Sequence, residues 1–153
     1  MSGREDRDLL EADFPVLSVA STRWSDNDVY GHMNNAVHYQ LFDSAINGWI
    51  ASQAPDVVSA GDVIGVVAES GCTYYSELSF PDDVLVGLRV ERLGRTSVTY
   101  ELGLFARPQN SAQTEGRAIA AKGRWVHVYV DAQTRRPAPI QGQLRTLLES
   151  AQT

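Results

Sequence analysis

Lysine is nearly missing from this chain of 153 residues: Lys122 stands alone beside twelve arginines, and acidic residues outnumber basic ones 19 to 13, for a formal charge of −6. The arginines are scattered, so no basic stripe exists to follow a nucleic-acid backbone, and nucleic-acid binding is not expected. Cysteine is as scarce. Cys72 has no second thiol in the chain, which excludes an intrachain disulfide, and it reads most simply as a small buried apolar residue. Long apolar runs are missing too. No stretch approaches the roughly 20 apolar residues that cross a bilayer, and the opening MSGREDRDLLEAD lacks the apolar segment of a secretory signal. A soluble protein of the reducing cytoplasm, with no membrane insertion, is the expectation. No His, Cys, Asp or Glu cluster has metal-ligand spacing and no glycine-rich phosphate loop occurs, so no metal or resident cofactor is expected.

What is present is a globular composition, 43% hydrophobic and 21% charged, in a length that suits one core. The expected organisation is a charged tail or short surface helix over residues 1–13, one domain over 14–149 and a short tail over 150–153. From Phe14, FPVLSVASTRW reads as a strand that runs into a polar loop, RWSDNDVYGHMNNAVHY. Tyr39, Phe42, Ile46, Trp49 and Ile50 then recur at helical spacing, widened by Leu41 and Ala45, until Pro55 limits the helix. Asn34 or Asn35 suits its N-cap, because a short amide side chain accepts from the unpaired N–H groups of the first turn. IGVVAESGCTYYSEL reads as the next strand. Val84, Val86, Leu88 and Val90 alternate, as do Val98, Tyr100, Leu102 and Leu104 after a Leu93-Gly94-Arg95 turn, which predicts a hairpin. Ala118–Val130 reads as a final strand with Val126, Val128 and Val130 on one face, and QLRTLLES as a closing helix. The economical arrangement is α+β, a curved antiparallel sheet wrapped around one long central helix.

The loop before that helix carries the candidate chemistry. A thioester loses a thiol of pKa about 8.5 and needs no strong general acid. A carboxylate that activates water or attacks the carbonyl, together with helix-start N–H groups that hold the developing oxyanion, is enough. Asp28 stands seven residues before Asn35, far enough for the loop to fold back, and Gly31 permits the tight backbone this requires. The same residues also read as structure alone: Asp26 and Asp28 as turn formers, Gly31 as a left-handed hinge, Asn34 and Asn35 as a cap. Asp43 lies two helical turns beyond Asn35 and is either solvated or facing a cleft. Glu69 and Glu77 fall on or beside the following strand. Trp24, Trp49 and Trp125 suit an acyl tunnel or a core. Arg95, Arg135 and Arg136 suit coenzyme A phosphates or plain solvation.

The pattern R-W-x-D-x-D-x-x-G-H-x-N-N-x-x-x-Y resembles the loop and helix start of hotdog-fold acyl-CoA thioesterases of the 4-hydroxybenzoyl-CoA thioesterase type and their long-chain acyl-CoA relatives. Similarity continues through VVAESGCTYY, LGRTSVTYELGLF and VHVYVDAQTRRPAPI. The resemblance implies a hotdog fold and hydrolysis of an acyl-CoA or acyl-carrier-protein thioester, with coenzyme A as part of the substrate. It implies Asp28 as catalytic carboxylate, the Asn35 backbone N–H as oxyanion donor, and His32 as an auxiliary. Gly31, Asn34 and Tyr39 follow as substrate-binding positions. Tyr30 replaces an asparagine of the plant acyl-carrier-protein branch, and His38 stands where many relatives carry tyrosine. Glu77 resembles a functional acid of that plant branch, and another branch keeps its carboxylate on the helix, where Asp43 lies. The resemblance further implies a homodimer formed edge to edge, or a tetramer. A hydratase or dehydratase on enoyl or hydroxyacyl thioesters, and a non-catalytic acyl-CoA-binding module, are the alternatives.

Overall fold

The computed structural model describes residues 5–108 and 117–153; the first four residues of the expected tail, and 109–116 within the expected domain, lie outside the described residues. Among the described residues five strands are present: β1 (Val16–Ala20), β2 (Val63–Tyr74), β3 (Asp83–Leu93), β4 (Ser97–Arg107) and β5 (Ala121–Asp131). They form one sheet in the order β1-β3-β4-β5-β2, every neighbouring pair antiparallel. Three helices accompany them: α1 (Asn35–Gln53), α2 (Pro55–Ala60) and α3 (Gly142–Ser150). Helix α1 falls between β1 and β2 in sequence, and those two strands occupy opposite edges of the sheet. The sheet curves around α1, which is the hotdog architecture.

Helix α1 starts where Asn34 caps it and ends before Pro55, whose ring cannot continue an α-helix but fits the first position of a new one. Pro55 accordingly opens α2, a short helix that the sequence pattern did not predict. Phe42, Ile46 and Ile50 of α1 pack on the alternating rows predicted for the hairpin, Val84 to Val90 and Val98 to Leu104, all buried. The contact is close at Gly123, where a Cβ would lie 2.7 Å from the Phe42 ring.

Strand β5 holds a surprise in its facing. Trp125, His127 and Tyr129 point into the core, whereas of the expected row Val126, Val128 and Val130 the first two are half-buried on the other face and Val130 is buried. Residues 5–13 lie over the sheet's outer face and include two short 3-10 turns, Asp6–Asp8 and Glu11–Asp13. There Leu9 and Phe14 join Phe105 and Ile119 in a second apolar cluster. The Phe14 ring spans Gly87 and Gly103, at which a Cβ would come within 2.6 and 2.9 Å of it. The single lysine, Lys122, reaches Asp6 at 2.9 Å.

Candidate active site

The polar loop is held by its own backbone. Asp26, only 4% exposed, accepts the Arg23 N–H at 2.8 Å and its guanidinium at 2.9 Å, and its carbonyl accepts the Asn34 N–H at 2.8 Å. Asn27 Oδ1 accepts from the Phe80 N–H at 3.0 Å, and the Met33 N–H donates to the Leu78 carbonyl at 2.7 Å. Between these anchors the Asp28 N–H donates to the His32 carbonyl at 2.8 Å, and the Gly31 N–H donates back to Asp28 at 3.1 Å. Gly31 takes φ +82°, a conformation that favours glycine because it lacks a Cβ. The turn reading thus holds for Asp26, Gly31 and Asn34. Asp28 also joins the turn, accepting the Tyr30 N–H on Oδ1 at 2.8 Å.

Asp28 does more than shape the turn, because it also borders a cleft of about 540 Å³ together with His32, Asn35, His38, Tyr74 and Glu77. On its other side, Trp24, Val29 and Gly31 line a second hollow of about 640 Å³. At the helix start Asn34 Oδ1 accepts the Ala36 N–H at 2.9 Å, and the Asn34 carbonyl accepts the Val37 N–H at 2.9 Å. Asn34 is therefore the cap. The Asn35 N–H makes no hydrogen bond among the described residues, and it stands at the positive end of α1. Across the cleft His32 Nε2 and Glu77 Oε2 approach to 2.8 Å, with side chains 44% and 69% exposed.

Not every predicted residue joins this cleft. Tyr39 packs against Phe42 and Trp125, with ring centroids 6.3 Å away in both cases, and does not line it. Asp43 is exposed and accepts from the Asn47 amide at 3.0 Å, also off the cleft. Glu69 pairs with Arg124 at 3.0 Å on the surface. Trp24 does not fill the core: it is 78% exposed, stands edge-on to Phe80 at 6.0 Å and borders only the second, open hollow. Arg95, Arg135 and Arg136 are all exposed. Cys72 is half-buried rather than buried, and burial pushes its thiol up.

Of the cleft residues without a role in the sequence reading, His38 stands out. His38 is buried in the first turns of α1, and burial holds its imidazole below the ordinary histidine value against a smaller upward pull from the Asn34 and Asn35 backbone. Its ring meets Tyr74 edge-on at 4.8 Å. Burial, then the neighbouring Cys72 and Tyr39, push the Tyr74 phenol up to about 12. The signal available in sequence was a histidine four residues after the cap, on the side of α1 that turns inward. Among the described residues no group of His, Cys, Asp and Glu side chains fits a metal ion, and no helix is long and apolar enough to cross a membrane.

The chain and its fold have counterparts among known proteins. Residues 22–148 match the model of the thioesterase-like superfamily. The PA5185 protein of Pseudomonas aeruginosa is 40% identical, with 94% of this chain and 96% of that one covered at a TM-score of 0.84. A predicted thioesterase of Bacillus stearothermophilus is 25% identical over 90% and 96% of the two chains, at a TM-score of 0.73. A 1,4-dihydroxy-2-naphthoyl-CoA thioesterase of Synechocystis, 18% identical over 86% and 93%, shares the fold at a TM-score of 0.71. No match was found among curated proteins. Family match, shared architecture and a chain similar to thioesterases over nearly its whole length lead to one conclusion: this protein belongs to the thioesterase-like superfamily and is a thioester hydrolase.

Proposed function

We propose that the protein hydrolyses acyl-CoA thioesters to the free acid and coenzyme A, with Asp28 as general base or nucleophile. The observation that carries this reading is the pairing, on one cleft, of the Asp28 carboxylate with the unclaimed Asn35 N–H. An ester carbonyl placed between them meets a proton acceptor or nucleophile on one side and an oxyanion donor on the other. The donor is worth most where charge develops, since it is already in place and loses no hydrogen bond of its own when the oxygen becomes negative. His32, paired with Glu77, borders the same cleft and orients water or the departing thiol. Two copies joined through the free edges of β2, which carry exposed Val66 and Val67, would cover an edge otherwise open to mispairing. Sedimentation of the protein as a dimer or tetramer is expected on that ground.

The test is release of free thiol from a panel of acyl-CoA esters that spans short, long and aryl acyl groups and includes crotonyl-CoA. Thiol from at least one ester is expected, with enoyl absorbance lost only as thiol appears. Loss of enoyl absorbance without thiol would turn the reading toward a hydratase. Binding without release from any ester would turn it toward a binding module.

A further inference from the structure

His38 takes no part in the reaction assigned above, yet it stands on the same wall. It follows Asn35 by about one helical turn, is 3% exposed, and borders the cleft. Its Nδ1 is buried with no hydrogen bond among the described residues, and the ring as a whole feels the backbone of Asn34 and Asn35 at the start of its own helix. The edge-on contact with Tyr74 fixes the plane of the ring. Around it the wall is polar and aromatic, with Tyr74, Tyr75, Ser76 and Glu77 set against the aliphatic Met33 and Leu78. A long saturated chain laid on such a wall strips water from polar groups and returns no hydrogen bonds.

Resting on the reading of this cleft as the ester site, we propose that His38 reads the acyl group: its Nε2 accepts a hydrogen bond from a hydroxyl two or three carbons from the thioester carbonyl, so that short hydroxyacyl thioesters are the preferred substrates. An uncharged imidazole divides its nitrogens, one carrying the proton and the other a lone pair. A proton on Nδ1, the buried nitrogen, leaves the lone pair on Nε2 for the cleft, and burial keeps the ring uncharged near neutrality. Asn35 and His38 are separated by about 4.5 Å along the helix axis. That spacing suits a carbonyl oxygen at the amide and a hydroxyl at the ring within one three- or four-carbon acyl unit. A keto oxygen has no proton to donate and gains nothing from this arrangement.

The experiment compares kcat/KM for 3-hydroxybutyryl-CoA, acetoacetyl-CoA and butyryl-CoA, read as released thiol, in the wild type, His38→Leu and His38→Gln. The wild type is expected to favour the hydroxy ester over butyryl by at least about tenfold. In His38→Leu that ratio collapses to within about threefold of unity, while His38→Gln, whose amide oxygen accepts, keeps part of it. A wild type that does not separate the hydroxy ester from butyryl overturns the proposal, as does an equal preference for the keto ester or a ratio unchanged in His38→Leu. The wild-type ratios decide even where a variant does not fold. No thiol from these three esters, with release from other members of the panel, overturns the role of His38 alone. No release from the whole panel removes the acyl-CoA reading beneath it.

Discussion

Replacing Asp28 with asparagine separates its structural role from the chemical one proposed for it. The structure assigns its Oδ1 a hydrogen bond from the Tyr30 N–H at 2.8 Å, and asparagine keeps an acceptor oxygen of the same shape at that place. The other bonds that close the turn, from the Asp28 N–H and to the Asp28 carbonyl, belong to the backbone and are untouched. Stability should therefore change by no more than about 0.5 kcal/mol, a shift of roughly 1–2 °C in Tm for a chain of this size. The proposed chemical role is lost entirely, since an amide neither takes a proton from water nor attacks a carbonyl. The expected fall in kcat is about 10²- to 10⁴-fold, or about 2.7–5.5 kcal/mol of barrier. Steady-state thiol release measured at several ester concentrations reads kcat and KM, and a thermal melt of the same sample reads the fold. A variant that melts normally and retains more than about a tenth of wild-type kcat would refute the assignment and move attention to Asp43. A Tm lowered by more than about 5 °C would refute the claim that the turn tolerates the amide.

Gly123→Ala places a methyl 2.7 Å from the Phe42 ring and should cost about 1–3 kcal/mol, read as a lower urea midpoint; Phe42→Leu in the same chain should recover part of it, and an unchanged midpoint would contradict the contact. Glu77→Gln removes the charge facing His32 but not a buried group, so stability should hold within about 0.5 kcal/mol while kcat falls about tenfold, the scale of one exposed charge-assisted hydrogen bond. Acid should destabilise the fold through His38 and His127, both held below the ordinary histidine value mainly by burial, with Asp43 pulling His127 the other way. Below about pH 6.5 the unfolded chain takes up protons that the folded one refuses, so stability is full above that value and falls as pH drops, by at most about 1.4 kcal/mol per pH unit for each histidine. Urea midpoints between pH 7.5 and 5 should show this slope, and a His127→Phe variant should flatten it.

Much of the fold was legible because apolar spacing and burial agree. The rows of β3 and β4 alternate strictly and face α1, and the stripe of α1 recurs at helical period. Agreement failed in β5. There Trp125, His127 and Tyr129 turn inward, the Trp125 indole donating to His127 Nε2 at 3.2 Å, because pairing with β4 sets Trp125 opposite Tyr100 and continues the buried row. Valine spacing alone does not reveal that register. Helix α2 escaped notice because six residues carry too little periodicity to register. In the loop, residue type and separation fitted a turn and a cap as well as a site, and the roles of Asp28 and Asn35 came from the resemblance rather than from spacing. Which asparagine caps the helix was not legible, since either side chain reaches the first turn; the structure gives the task to Asn34. The pairing of His32 with Glu77 joins residues far apart in sequence, and only the return of the chain after β2 brings them together.

Asn34 is fastened at both ends, its N–H to Asp26 and its side chain to Ala36, so loop and helix behave as a single rivet rather than as a hinged flap. Under the proposed reading, an ester would then meet carboxylate and amide held on one frame, with no closing movement needed before the first bond change.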